Sequence, residues 1–300
     1  MNAISEILDS GIRGGSSLLL AALGEMVAEL SGVVNLGTEG CMLAGALGGY
    51  AGAGAFASPS LGAAGGMAAG MLTAAVFALF VVRGHTDQLA TGLVETFAVI
   101  GVTSLLGTGY VNQQVPTFSP IRIPVLWHLP YVGVALFDQD PLTYLALLSA
   151  GALWWLVGRS LPGLLLRAAG DDPSVLDAFG HSVQSVRWSA LAVAGGFSGL
   201  AGAQLAIAFT GSWFDDMTAG RGFLAVALVI FGAWRPLRIL VGALVFGMAL
   251  AVSPVLQAHG IAVNQFAVAA VPYILAIASM ALMSRRLSQQ APAQLASVFR

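Results

Sequence analysis

The feature that most constrains this chain is a series of long apolar stretches with almost no charge. Of its 300 residues, 57% are hydrophobic and only 9% are charged, whereas a soluble domain carries about 25% charged residues. So little charge cannot give a globule a polar surface, and a helix needs about 20 apolar residues to cross a bilayer. The composition therefore predicts an all-α, polytopic helical membrane protein, with residues 1–300 forming a single transmembrane domain.

The apolar segments predict about 8 to 9 membrane crossings, with one or two short or broken elements. Residues Met1–Arg13 predict a short amphipathic lead-in. The first apolar segment is short unless it begins near Ile12. The segments are Ser16–Leu30, Cys41–Phe56, Leu61–Val82, Ala90–Leu106, Pro141–Leu161, Ser189–Phe209, the short Gly222–Trp234, Leu237–Leu256 and Gln265–Met283.

Arginine placement predicts the orientation, because cytoplasmic loops carry an excess of basic residues. The loop 167–187 is predicted to be cytoplasmic, and the long loop 107–140 then falls outside. Nine full crossings with a cytoplasmic C-terminus would leave Arg13 on the outer side, so the side on which the chain begins stays open. The arginines that indicate the inner side are Arg83, Arg159, Arg167, Arg187, Arg235, Arg238, Arg285 and Arg286.

The 12 basic residues are all arginine. A P-loop needs its lysine, so the chain cannot carry a Walker A site and cannot hydrolyse ATP by that route. The histidines have no metal-ligand spacing, a nucleophile elbow is absent, and no basic patch of the kind that binds nucleic acid is present. The sequence predicts a protein that is not an enzyme and has no cofactor, metal site or catalytic residue.

Glycines four residues apart form stripes in several apolar segments. Small residues at this spacing let helix backbones approach closely in lipid. The stripes predict close helix packing, with sliding surfaces in a conformational cycle as the alternative. The spaced sets are Gly45 with Gly49, Gly48 with Gly52, Gly62 with Gly66 and Gly70, and Gly195 with Gly199.

A polar island interrupts the apolar chain within 167–187. Asp172 and Pro173 predict an N-cap and a first helical residue, and Gly180 predicts the stop of a helix of roughly two turns. Its apolar side chains, Val175, Leu176 and Phe179, are predicted to share one face. The island is either a helical turn at the membrane surface or a coupling helix that docks into a soluble subunit.

Glycines 32, 37 and 40 break the first hydrophobic region around Asn35 and Glu39. A broken helix at membrane depth is tolerated only inside protein or beside a water-filled cavity. Ionisable groups there indicate function by default. Glu25 and Glu29 lie four residues apart on one helix face, so interhelical hydrogen bonding is the alternative to a functional role.

A second unusual segment begins the short apolar helix near residue 221. Arg221 lies between two glycines, and Asp215 and Asp216 precede it closely enough to neutralise its charge. The predicted role of Arg221 is a static ion pair, with gating as the alternative.

These segments resemble a known family. Gly32-Val-Val-Asn-Leu-Gly-Thr-Glu-Gly40, after Leu23-Gly-Glu25, is similar to the opening signature of ABC transporter permeases of the branched-chain amino acid and simple-sugar type. It is closest to the nucleoside and simple-sugar subgroup. The island with Gly195–Gly202 resembles the family's coupling loop, and Gly220–Phe223 with Ile230–Pro236 resembles its third block.

The resemblance implies a multi-pass permease subunit of an ATP-driven importer in the inner or plasma membrane, carrying nucleosides, simple sugars or related small polar solutes. It implies ATPase subunits inside, a second permease chain and an extracytoplasmic solute-binding protein as partners. The expected contacts to the ATPase are Asp171, Asp172, Pro173, Val175, Leu176, Phe179 and Gly180. Glu25 and Arg221 are expected to support or gate the pathway, and its expected lining residues are Asn35, Glu39, Gln88 and Glu95.

One departure concerns the solute. The family often opens its fourth apolar segment with asparagine-glutamine or histidine-glutamine and has an asparagine further in. This chain has Asp87-Gln88 and Glu95 instead. Branched-chain amino acids are the alternative solute. A secondary transporter driven by an ion gradient also stays open, because such carriers use intramembrane acids, here Glu25, Glu29, Glu39 and Glu95. A channel or structural subunit without a motor is a third hypothesis.

Overall fold

The computed structural model describes residues 3–111, 113–124, 127, 132–261, 264, 268, 270–271, 273–274, 277–278 and 291–295. Arg285, Arg286 and most of the predicted segment Gln265–Met283 lie outside the described residues. The other predicted apolar segments form helices in the part of the chain that is described. The predicted fold class, an all-α polytopic bundle, is confirmed.

The helices are joined mostly by short turns. The chain forms α1 (Ala3–Leu30), α2 (Thr38–Phe56), α3 (Pro59–Ala78), α4 (Gln88–Gly107), α5 (Val132–Phe137), α6 (Pro141–Arg159), α7 (Leu161–Asp171), α8 (Pro173–Ala178), α9 (Val183–Ala203), α10 (Arg221–Gly232) and α11 (Pro236–Ala258). A π-helical turn, Leu79–Arg83, extends α3 and another, Gln204–Thr210, extends α9. A 3₁₀ turn, Thr108–Tyr110, follows α4. Strands β1 (Ile121–Arg122) and β2 (Asp138–Gln139) pair antiparallel, with Ile121 opposite Gln139.

Among the described residues, 5 helices are long and apolar enough to cross a membrane: α3, α4, α6, α9 and α11 with their extensions. They differ in how much the bundle buries them. In α9 with its extension, 78% of the most apolar 18-residue stretch is buried by the rest of the chain, whereas in α4 the share is 17%. Helix α4 therefore lies at the periphery, and α1, α2 and α9 form the centre, where the leucines of α1 are fully enclosed.

Helix α1 begins earlier than expected. The predicted amphipathic lead-in is not a separate element, because the helix runs unbroken from Ala3. Its polar residues are satisfied inside the bundle: Arg13 pairs with Asp9 at 3.2 Å and donates to the Asp138 carbonyl at 3.1 Å. Arg13 thus lies beside the loop predicted to be external, and these contacts accommodate an arginine at that end. We call this end of the bundle the outer end and the end carrying α8 the inner end, after the orientation that the arginines predict.

The glycine stripes are contact surfaces between α2, α3 and α9. An added Cβ at Gly45 would overlap the backbone of Gly199, and one at Gly70 would overlap the backbone at Gly195 and Gly199. Bulkier residues at these positions would force the helices apart. The predicted close packing of small residues is confirmed for these helices.

The sequence did not predict α7. Arg167 was expected in a polar loop, but it lies on a helix that starts after Ser160, whose side chain accepts from the backbone N–H of Gly163 at 3.3 Å. Proline at the second position of this helix is compatible with a first turn. The polar island therefore comprises the end of α7, the short helix α8 and the start of α9, with a break between α7 and α8 at Asp172.

Candidate functional site

The unwound segment between α1 and α2, Ser31–Gly37, is held by side chains from its neighbours; we call it the α1–α2 junction. Its first turn needs Gly32, whose φ is +86°. The backbone N–H of Val34 donates to Gln88 Oε1 at 2.8 Å, and Thr96 Oγ1 donates to the Leu36 carbonyl at 3.3 Å. The side chains of α4 thus replace the hydrogen bonds that a continuous helix would have made.

Glu25 ties the α1–α2 junction to the start of α2. Its Oε1 accepts from the Asn35 backbone N–H at 2.8 Å, and its Oε2 accepts from Thr38 Oγ1 at 2.6 Å. Asn35 Oδ1 in turn accepts from the Gly37 N–H at 2.8 Å. Both carboxylate oxygens of Glu25 are therefore occupied, and the Asn35 side chain serves the backbone of the α1–α2 junction.

Glu39, one residue into α2, caps the start of α10. Its Oε1 accepts from Thr218 Oγ1 at 2.6 Å and from the Gly220 N–H at 2.8 Å, and its Oε2 accepts from the Gly222 N–H at 2.5 Å. Glu39 is only 2% exposed. The free N–H groups and positive dipole of a helix N-terminus favour a carboxylate. Glu39 therefore joins two helices that begin inside the bundle.

The expected ion pair of Arg221 with Asp215 or Asp216 is wrong. Both aspartates are exposed in the loop before α10, and neither forms a salt bridge with Arg221. Arg221 donates to Ser17 Oγ at 3.5 Å, and its guanidinium lies 5.8 Å from the centre of the Phe209 ring. The carboxylate beside Arg221 in the hydrogen-bond network is that of Glu39, which accepts from the N–H groups of Gly220 and Gly222 on either side of it.

Glu95 has a different environment. It lines a cavity of about 920 Å³ between α2, α3 and α4, which we call the α4 cavity. Glu95 is 9% exposed, and neither carboxylate oxygen has a hydrogen-bond partner in the described structure. The walls are otherwise mostly apolar and include Phe80 and Tyr110. An intramembrane acid without a partner indicates a functional position.

The threonine hydroxyls of the α4 cavity are already bonded. Thr73 donates to the Ala69 carbonyl at 3.0 Å, and Thr103 donates to the Val99 carbonyl at 2.7 Å. These threonines satisfy their donors within their own helices. The carboxyl of Glu95, whose two oxygens are themselves buried, is the acidic group beside the α4 cavity that has no hydrogen bond within the described residues.

The predicted start of α8 is confirmed. Asp172 Oδ1 accepts from the Ser174 N–H at 3.0 Å and from Ser174 Oγ at 2.6 Å, and Pro173 is the first helical residue. The chain reverses at Gly180, whose φ is +76°. We call Asp171–Gly180 the coupling segment, after the role that the resemblance implies.

The expected common apolar face of the coupling segment is wrong. Leu176 is 2% exposed and packs into the bundle, whereas Val175 is 41% exposed and Phe179 is 79% exposed. Residues i and i+4 share a helix face, and the residue after the first lies about 100° away. Leu176 therefore anchors α8, and Val175 and Phe179 form the exposed surface.

The inner end connects the coupling segment to the α1–α2 junction. Helix α7, which leads into α8, passes so close to the junction that an added Cβ at Gly170 would overlap the carbonyl of Leu30. On the other side of α8, Arg187 Nε of α9 donates to the Ser31 carbonyl at 3.2 Å. A movement of α8 would therefore reach the broken helix through both flanking helices.

Sequence reasoning missed the partner of Glu29. Trp234, in the turn after α10, donates from Nε1 to Glu29 Oε2 at 2.6 Å. The turn needs the left-handed conformation at Ala233 and Trp234, with φ of 51° and 55°. The alternative of interhelical hydrogen bonding is thus realised for Glu29, and the only signal in the sequence was a tryptophan between two polar or small residues.

The chain is similar to known transport proteins over most of its length. The family described as branched-chain amino acid transport system / permease component matches residues 7–283. TsgC13 of Haloferax volcanii, provisionally named a glucose ABC transporter permease protein, is 41% identical over 252 residues, which are 83% of this chain and 77% of the relative. No solved structure matches the chain.

Two further relatives carry nucleoside names. The guanosine ABC transporter permease protein NupQ of Bacillus subtilis is 30% identical over 265 residues, covering 83% of this chain and 82% of its own length. The nucleoside ABC transporter permease protein NupC of Lactococcus lactis is 29% identical over 262 residues, covering 83% and 82%.

Proposed function

The chain belongs to the family of branched-chain amino acid transport system permease components, and from this membership we propose that it serves an ATP-driven importer of nucleosides or related small polar solutes, simple sugars included. The observation that carries the proposal is the family match over residues 7–283, joined with relatives named as glucose, guanosine and nucleoside permeases. As a permease subunit, the chain forms a translocation pathway across the plasma membrane.

The α4 cavity is the proposed part of that pathway. A carboxylate accepts hydrogen bonds from the hydroxyls of a sugar or the N–H groups of a base, and apolar and aromatic walls suit the faces of a base or sugar ring. Glu95 is therefore the proposed solute contact. Three other polar side chains accept hydrogen bonds from backbone N–H groups where helices break or begin: Asn35, Glu39 and Gln88. These bonds support a role in shaping the pathway.

The proposed partners are a pair of ATPase subunits at the inner end, a second permease chain, and a solute-binding protein at the outer end. The exposed Val175 and Phe179 support α8 as the docking helix, since an aromatic anchor filling a groove is typical of an interface centre. Asp171, Asp172, Pro173 and Gly180 set the direction of this helix. Leu176 would transmit its movement into the bundle.

Uptake in reconstituted vesicles tests the proposal. Vesicles would contain this chain with its sister permease and ATPase, and the binding protein would be added outside with labelled guanosine or glucose. We expect uptake that requires ATP and persists when proton and sodium gradients are collapsed. Uptake driven by an ion gradient without ATP would overturn the importer and favour a secondary transporter.

The docking role of α8 has its own test, Phe179→Asp. Because the Phe179 side chain contacts little of this chain, the substitution should leave the fold intact while weakening the ATPase contact by roughly 30-fold. ATP-driven uptake should fall, and ATPase subunits should dissociate in a pull-down. Phe214→Asp, an equally apolar exposed side chain in the loop before α10, is the matched control. Normal coupled uptake by Phe179→Asp would contradict the docking role.

A further inference from the structure

A second cavity lies at the inner end of the bundle, away from the α4 cavity. It measures about 630 Å³ and is bounded by α6, α7 and the turn between α10 and α11. We call it the arginine pocket. Its lining residues are Leu30, Trp154, Val157, Gly158, Arg167, Ala233, Trp234, Arg235, Pro236, Leu237 and Arg238.

The charged side chains that line the arginine pocket are all positive. Arg167, Arg235 and Arg238 line it, and no aspartate or glutamate is among its lining residues. The salt bridges within the described residues involve Arg13, Arg122 and His259, so none of the pocket arginines is paired with a carboxylate there. Three cations brought together repel one another, and a bound anion would offset that repulsion.

The backbone adds to the positive potential. Helix α11 begins in the wall of the pocket, with Pro236 at its first turn and no side chain capping its N-terminus. A helix N-terminus carries a partial positive charge and favours an anion. Guanidinium groups present donors in a planar fork that matches the oxygens of a phosphate. The combination indicates a phosphate-type ligand.

The other side chains that line the arginine pocket are of the types found at a membrane–water interface. Trp154 is exposed, and the guanidinium of Arg159 lies 5.6 Å from the centre of its ring. Trp234 is fixed by its hydrogen bond to Glu29. Leu30, Val157 and Leu237 supply apolar surface beside the arginines. Tryptophan and arginine above an apolar wall are typical of the level at which phospholipid headgroups lie.

We propose that the arginine pocket binds a phosphate group, and that the group belongs to the headgroup of an anionic phospholipid of the inner leaflet. Basic pockets between transmembrane helices on the cytoplasmic side bind such headgroups. A free phosphate would use the arginines alone, whereas a lipid would also cover the apolar wall with an acyl chain. The pocket touches α7 and the Trp234 turn, so an occupant would brace the helix that leads into α8.

Lipid retention by the full chain tests this proposal. The purified protein, delipidated in detergent, would be titrated with phosphatidylglycerol or phosphatidylcholine and analysed by native mass spectrometry. We expect selective retention of phosphatidylglycerol, reduced about tenfold or more in the triple variant Arg167→Gln, Arg235→Gln and Arg238→Gln. Arg83→Gln, at the same end of the bundle but outside the pocket, is the matched control and should retain the lipid.

Two further measurements distinguish lipid from free phosphate and keep the proposal testable if the triple variant does not fold. Inorganic phosphate at millimolar concentration should compete only weakly with the lipid; full displacement would identify a free-anion site and overturn the lipid source. If the triple variant does not fold, the thermal stability of the unaltered protein decides the question. Phosphatidylglycerol should raise it more than phosphatidylcholine does, and equal effects of the two lipids would overturn the proposal. ATPase binding lost without any change in lipid retention would assign the pocket to a protein partner instead.

Discussion

Glu39 and Glu95 are both buried carboxyls, but they differ in the hydrogen bonds they receive and in how closely other helices surround them. Glu39 receives three hydrogen bonds from the start of α10, two of them from backbone N–H groups. Glu95 receives none within the described residues; it contributes to the wall of the α4 cavity, but both of its carboxyl oxygens are buried. The helices around Glu39 are in close contact, whereas α4 is largely uncovered by the rest of the chain.

This difference separates two uses of an acid inside a membrane protein. A buried carboxylate that satisfies otherwise orphaned N–H groups stabilises a broken helix, because those groups have no water to bond. A buried carboxyl without a partner costs free energy in the empty protein, and a ligand that donates to it removes that cost. We therefore expect Glu39 to matter for folding and Glu95 for the solute.

The largest effect on stability is expected for Glu39→Ala. The change removes three acceptor contacts and leaves buried donors at Thr218, Gly220 and Gly222 unsatisfied, at a cost of about 3 kcal/mol or more. Thermal unfolding in detergent, followed by a fluorescent size-exclusion assay, would detect the loss. Glu95→Ala is the control and should unfold near the temperature of the unaltered protein. Equal losses in both variants would erase the distinction between the two acids.

An intermediate effect is expected for Gly222→Ala. An added Cβ would overlap the backbone of Glu39, so the start of α10 must move, with a cost of about 1–3 kcal/mol. Gly101→Ala on α4 meets no atom within 4 Å and should be neutral or stabilise its helix by up to about 1 kcal/mol. The same unfolding assay compares the two alanines. A stable Gly222→Ala protein would show that α10 need not lie against Glu39.

The smallest effect on stability is expected for Glu95→Gln, within about 0.5 kcal/mol, because no hydrogen bond is lost. Its effect should appear in transport instead. Replacing the carboxyl group by an amide should raise the KM for nucleoside uptake about tenfold. Uptake kinetics in vesicles measure this change, and an unaltered KM together with an unaltered rate would remove Glu95 from the pathway.

Local features were predictable from the sequence. Asp172 followed by Pro173 encodes the start of α8, and Gly32 and Gly37 encode the break after α1, because caps and left-handed turns depend on neighbouring residues. The glycine spacing likewise predicted close packing of helix backbones, although not which helices meet. Each of these signals lies within a few residues of the structure that it determines.

Long-range partners were not predictable. Sequence proximity suggested Asp215 and Asp216 for Arg221, but the carboxylate at the start of α10 comes from Glu39, far away in the chain. The side of α8 that faces the bundle also depends on α7 and α9, so the burial of Leu176 could not be deduced from a six-residue helix. The sequence singled out the acids inside the apolar segments, whereas the hydrogen-bond partners of each acid required the fold.

Cysteine accessibility at position 95 tests the central claim most directly. The native Cys41 is the only cysteine and is buried, so a Cys41→Ala background is suited to labelling. In the assembled transporter, the Glu95→Cys variant should react with a small hydrophilic thiol reagent and be protected by the transported nucleoside. The Gly101→Cys variant, altered on the same helix but outside the α4 cavity, should stay unlabelled. A Glu95→Cys variant that does not react, or that the solute does not protect, would contradict a pathway through the α4 cavity.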